Sequence, residues 1–163
     1  MRRELPADVV VRRIRPDDWE AVRALRLEAL RDPVAGIAFL ETVEHAAARP
    51  EEEWISRAAT MSEGDRGAQF LAVRAGALIG SVAVFIRHAG APDYFDRIPE
   101  TDLSTVVGVY VSPSARGAGV IDALLEAVTD WSRARGDHVL TLDVHERNTP
   151  AIRAYERNGF EVR

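Results

Sequence analysis

The chain has 163 residues, of which 47% are apolar, and carries a formal net charge of −5 with a sequence pI of about 5.4. That length suits one domain with a sizeable core, spanning residues 1–163. The charge argues against nucleic-acid binding by bulk electrostatics and against docking on an anionic membrane, and the lack of cysteine removes disulfides, thiolate metal sites and a cysteine nucleophile.

Met1-Arg2-Arg3-Glu4 leads into a polar stretch rather than an apolar signal region. No apolar run reaches the roughly 20 residues that span a bilayer, so the expected location is the cytoplasm. Asp8–Ile14 reads as a first strand. Pro16 suits a first helical position, and Asp17 and Asp18 suit the positive end of a helix dipole. Trp19, Val22, Leu25 and Ala29 then recur at helical spacing, and Asp32-Pro33 ends that helix near Arg31. A second helix is expected from Glu41 to about Met61, bent near Pro50.

The middle of the chain reads as β. Gln69–Arg74 and Leu78–Ile86 form a hairpin around Ala75-Gly76-Ala77. His88–Ser104 reads as a long loop, and Thr105–Val111 as a buried central strand. A glycine-containing turn, Ser112–Gly119, leads into a helix from about Gly119 to Arg135. Its apolar stripe is Val120, Leu124, Val128 and Trp131, and Gly136 closes it. Val139–Val144 reads as a strand. Thr149 is the expected N-cap of a short helix with Pro150 at its first position. Phe160–Arg163 begins one more strand. The fold class is α/β (α+β), with a mostly antiparallel first half and a strand–helix–strand unit in the second.

Pro113-Ser114-Ala115-Arg116-Gly117-Ala118-Gly119 links a buried strand to a helix. A helix N-terminus presents unpaired N–H groups that attract anions, and glycine leaves room for a phosphate to approach. An ordinary connection eased by glycine has the same spacing, so both readings stay open on spacing alone. A Rossmann fingerprint would need glycine or alanine where Asp122 stands, and a P-loop would need a lysine, which the chain lacks.

Val109-Tyr110-Val111-Ser112-Pro113 followed by Arg116-Gly117-Ala118-Gly119-Val120 resembles the acetyl-CoA signature of the GNAT superfamily of N-acetyltransferases. Arg116 and Gly119 match its first two fixed positions. Ile121 stands where the signature has glycine or alanine. A second resemblance follows in Leu142-Asp143-Val144, Asn148, Ala151, Tyr155 and Asn158-Gly159-Phe160. The two motifs lie between Thr105 and Phe160.

The resemblance implies a mixed, mostly antiparallel twisted sheet flanked by helices and splayed where two central strands part. It implies acetyl-CoA as cosubstrate, no metal, and transfer of the acetyl group to a primary amine of a small molecule or protein. The amides of Arg116, Gly117, Ala118, Gly119, Val120 and Ile121 would hold the pyrophosphate. Backbone groups around Val109, Tyr110 and Val111 would meet the pantetheine arm, where one N–H would polarise the thioester carbonyl. Asn148 would contact the pantetheine amides or else cap its helix. Tyr155 would act as general acid to the leaving thiolate.

An alkylamine of pKa about 10.4 needs a general base at neutral pH. The candidates are Glu41, Glu44, Glu100, Asp102 and His145, with none singled out. His45, His88 and His138 show no metal-ligand spacing, and Asp93, Asp96, Glu100 and Asp102 would suit a cationic acceptor or simply a solvated loop. With no cysteine, the expected mechanism is direct attack within a ternary complex. The alternative is a non-catalytic acyl-CoA sensor on the same fold. The resemblance also implies a further strand after the last Gly-Phe, so the domain would lack its last strand, and an open edge there would suit a homodimer.

Overall fold

The computed structural model describes residues 4–33, 39, 41–93 and 95–163. Strand β1 (Val9–Arg13) is followed by a 3₁₀ turn and helix α1 (Trp19–Arg31), then by α2 (Val43–Ala47) and α3 (Glu51–Ser62). Three strands come next, β2 (Gly67–Arg74), β3 (Ala77–Arg87) and β4 (Leu103–Val111), and then α4 (Val120–Arg135), β5 (Leu140–Leu142) and α5 (Thr149–Arg157). The sheet order is β1-β2-β3-β4-β5; every pairing is antiparallel except β4 with β5, which is parallel. The expected mixed, mostly antiparallel sheet flanked by helices is therefore present.

Alternation along the strands builds two apolar layers. Leu71 and Ala72 are neighbours on β2 and enter opposite clusters, as Tyr110 and Val111 do on β4. On one face, Val120, Leu124, Leu125 and Val128 of α4 pack on Val82, Val84 and Val106. On the other, Leu25 and Ala29 of α1 meet Tyr110, and Ala58 of α3 meets Ile14 and Leu71. Each fully buried aliphatic side chain is worth about 1.5–3 kcal/mol of transfer free energy.

Several expected boundaries move. The single bent helix over Glu41–Met61 is two helices, because Pro50 stands at the N-cap of α3 with extended ψ 148 and has no N–H to continue α2. Thr42 caps α2 by accepting from the His45 N–H. Asn148, not Thr149, is the N-cap of α5, and it makes no capping bond; Thr149 is already helical and Pro150 is the next residue. The strand expected over Val139–Val144 shrinks to Leu140–Leu142, since β4 offers it partners only at Ser104, Thr105 and Val106. Phe160–Arg163 form no strand. Phe160 folds back, its N–H donating to the Tyr155 carbonyl and its ring meeting Tyr155 edge-on at 6.2 Å, so the chain leaves without a strand beside it among the described residues.

Candidate functional site: the cleft between β4 and β5

Two features of β4 open the site. Ser81 of β3 faces Tyr110 and Ala83 faces Val107, so Gly108 and Val109 together oppose the single residue Val82. This is a bulge, and Gly108 takes φ +63 there, a backbone state that a side chain would strain. Beyond Val106, β5 no longer accompanies β4. The two parallel strands part, and a cleft of about 560 Å³ lies between them.

The cleft is lined by Val107, Gly108, Val109, Tyr110 and Val111 from β4, by Arg116, Gly117, Gly119, Val120 and Ile121 from the turn into α4, and by Asn148 and Tyr155 from the far side. The structure thus gathers Tyr155 and every residue expected to meet the cofactor except Ala118, which is not in the lining. Gly117 and Gly119 both have left-handed backbone, with φ 78 and 81. Gly119 is the N-cap of α4 and offers no capping side chain. Among the described residues, the N–H groups of Val120 and Ile121 donate no backbone hydrogen bond. Donors of this kind at a helix N-terminus suit a diphosphate. Ile121 directs its side chain onto the main core, and Asp122 is buried in contact with α5, where it accepts from Arg157 and Asn158.

The side chain of Arg116 is already engaged. Its Nε donates to the Val111 carbonyl and its Nη2 to Asp32, each at 2.9 Å. Val111 therefore has its carbonyl partly occupied. Burial, and then the hydrogen bond to Glu28, push the Tyr110 phenol up to about 12. Burial alone pushes the Tyr155 phenol to about 12, and among the described residues nothing is hydrogen-bonded to its hydroxyl.

A family model described as the acetyltransferase (GNAT) family matches residues 19–160. The chain belongs to the GNAT family of acetyltransferases. Its members transfer an acetyl group from acetyl-CoA, as cosubstrate, to an amine. The GNAT chain is 37% identical over 159 residues to a mycothiol acetyltransferase of Thermobispora bispora, a match covering 96% of this chain and 48% of that protein. It is 28% identical to an aminoglycoside N(6')-acetyltransferase type 1 of Salmonella typhimurium, over 69% of this chain and 74% of that one. Among solved structures, a GNAT acetyltransferase from Streptococcus pneumoniae superposes with a TM-score of 0.77 at 18% identity, covering 95% of this chain and 86% of that chain. Aminoglycoside N-acetyltransferase AAC(6')-Iy in complex with CoA superposes at 0.69 with 24% identity, covering 98% and 93%. These last two show a shared fold.

The five base candidates separate within this GNAT fold. Only His145 lines the cleft, where its Nδ1 accepts from the Arg147 N–H at 3.1 Å. Burial opposes ionisation of Glu41, but hydrogen bonds from His45, Arg49 and Arg26 hold its carboxyl below the usual carboxylate range. Asp102 accepts from the Ala89 N–H and is likewise held low. Glu44 and Glu100 are exposed and outside the cleft. Sequence reasoning missed Gly108, Glu28, Asp32 and Phe39. A lone glycine in a valine-rich strand is the signal that could have marked the bulge. Nothing local marks Glu28 or Asp32, which meet Ser112 and Arg116 at a separation of 84 residues.

Proposed function

We propose that this chain acetylates a primary amine on a small polar molecule by direct attack on acetyl-CoA bound in the β4–β5 cleft. The observation that carries this reading is the parting of the two parallel strands beside the bulge, with the amide turn at one end and the Tyr155 hydroxyl inside. Acetyl-CoA supplies the acetyl thioester. The amides between Arg116 and Ile121 bind its pyrophosphate, and the backbone of Val107 to Val111, left without a partner strand on its β5 side, holds the pantetheine arm. A Val109 N–H aimed at the thioester oxygen would stabilise the developing oxyanion by about 2.7–4 kcal/mol. Asn148 orients the arm, and Tyr155 donates a hydrogen bond to the departing sulfur. His145 is the candidate base best placed to take the ammonium proton.

The names of the relatives favour a small-molecule acceptor over a protein, since two of them are named for an aminoglycoside and for mycothiol, both small molecules. A cytoplasmic site of action fits this cosubstrate. No helix among the described residues is long and apolar enough to cross a membrane. A homodimer remains an expectation for the outer edge of β5, testable by sedimentation.

The deciding experiment is release of free CoA from acetyl-CoA across a panel of amino sugars, alkylamines and peptides. Turnover with small amines and none with peptides is the expected result. Binding of acetyl-CoA without turnover on any amine would support the sensor reading instead. Gly119→Val should weaken CoA binding at least tenfold, because a β-branched side chain tolerates neither φ 81 nor the approach of a phosphate.

A further inference from the structure

We propose that Asp32 is a positioning residue for the pyrophosphate turn, acting through Arg116, and that Glu28 supports it. The inference rests on reading that turn as the cofactor site. Both acids sit at the end of α1, on the opposite face of the sheet from α4.

The end of β4 and the turn after it are fastened to α1 at these two carboxylates. Tyr110 and Ser112 donate their hydroxyls to the same Glu28 oxygen, at 2.8 and 2.7 Å. Arg116 joins the Val111 carbonyl to Asp32, and its guanidinium carbon lies 5.8 Å from the centre of the Tyr110 ring. The Asp32 side chain is only 7% exposed, while that of Arg116 is 47% exposed. A guanidinium meant to grip a phosphate directly would be left free to swing toward it. Here its fork is committed to one backbone carbonyl and one buried carboxylate, which fixes the path of the chain between β4 and α4. That path decides where the amides of Val120 and Ile121 point. The signature arginine thus acts on the cofactor through the backbone, and Asp32 holds it in place. Asp32, the C-cap of α1, and Phe39 beyond it both line the cleft.

The test is a double-mutant cycle read by calorimetry with CoA and by steady-state kinetics. Asp32→Asn should weaken CoA binding about fivefold to tenfold and raise the KM for acetyl-CoA equally, with kcat changed less than about twofold. Arg116→Gln can still donate to the Val111 carbonyl but lacks the fork that reaches Asp32. In that background Asp32→Asn should add nothing further. Asp32→Glu keeps the charge but displaces the oxygens by one methylene, and should cost about twofold to threefold in CoA affinity.

Unchanged or tighter CoA binding by Asp32→Asn, as a guanidinium released onto phosphate would give, overturns the proposal. So does an undiminished penalty in the Arg116→Gln background. If Asp32→Asn does not fold, Asp32→Glu decides, and wild-type affinity there overturns the proposal. Failure of the site reading looks different: Gly119→Val would bind CoA normally, or the wild-type chain would not bind it.

Discussion

At the scale of single residues, Tyr155 carries the most chemistry. Its ring is held edge-on by Phe160, so removing the hydroxyl leaves the packing in place. Burial keeps the phenol protonated up to about pH 12, which makes it a donor throughout the working range. The departing thiolate, conjugate base of a thiol of pKa about 8.5, is a much weaker base than the phenolate of Tyr155, so outright proton transfer to the sulfur is uphill. Hydrogen-bond donation is the more economical role, and it belongs at the low end of general-acid effects. Tyr155→Phe should lower kcat about a hundredfold and leave the KM for acetyl-CoA within a factor of about three. A kcat equal to wild type would remove Tyr155 from the mechanism. His145 makes a separate prediction at this scale. If it is the base, His145→Gln should cost kcat most strongly at neutral pH and progressively less as pH approaches the acceptor's own pKa. A uniform loss at every pH would assign His145 to binding instead.

Between elements, the tether from α4 to α5 is where the two halves of the cleft are set relative to each other. Asp122 stands in the first turn of α4, 3% exposed, and accepts from Arg157 at 2.9 Å and from Asn158 at 2.7 Å. Asp122→Ala removes the buried acceptor shared by Arg157, which water still reaches, and Asn158, which keeps its bond to the Ala154 carbonyl, and should cost about 1–2 kcal/mol, measured by urea unfolding. Asp122→Asn keeps an acceptor oxygen and should cost less than half of that. Equal costs for the two would mean that the charge, not the hydrogen bonding, holds the helices together. Asp122 also shows what was legible in the sequence. Its presence ruled out a Rossmann turn, but spacing could not say that the carboxylate turns inward to a partner 35 residues away. The same divide runs through the whole site. The glycines of the turn and the apolar stripe of α4 follow local patterns of period and breaker and were readable, whereas Tyr155 was placed at the site through family resemblance. The parting of β4 from β5 was expected only through family resemblance. It depends on how far two distant segments stay in register, so Val139–Val144 read as six strand residues although only Leu140–Leu142 find partners. The base stayed unassigned for a related reason. Glu41 and Asp102 look like free acids in the sequence, and the fold binds one with arginines and the other with a backbone amide.

For the molecule as a whole, composition turns alkaline stability into a clean report on the site. The chain has no lysine and no cysteine, but three tyrosines. An α-amino group titrates near 7.7–8.0 and arginine stays charged, so between about pH 9 and 12 only tyrosines change protonation. Tyr110 and Tyr155 have folded values pushed up to about 12, the first by burial and by Glu28, the second by burial. In the unfolded chain both return to about 10. The unfolded state therefore sheds its protons first, and stability, complete below about pH 10, must fall as pH rises toward 12. The slope is bounded by about 1.4 kcal/mol per pH unit for each tyrosine. Urea unfolding followed from pH 8 to 11.5 should show a midpoint that is level at first and declines above about pH 10. Tyr155→Phe should remove roughly half of that decline without altering the level portion's pH dependence. Adding CoA should oppose the fall, because ligand bound only by the folded chain raises stability by mass action. A midpoint flat to pH 11.5 would show that both phenols titrate normally in the folded protein. That outcome would undo the picture of a dry cleft in which Tyr155 keeps its proton for the sulfur.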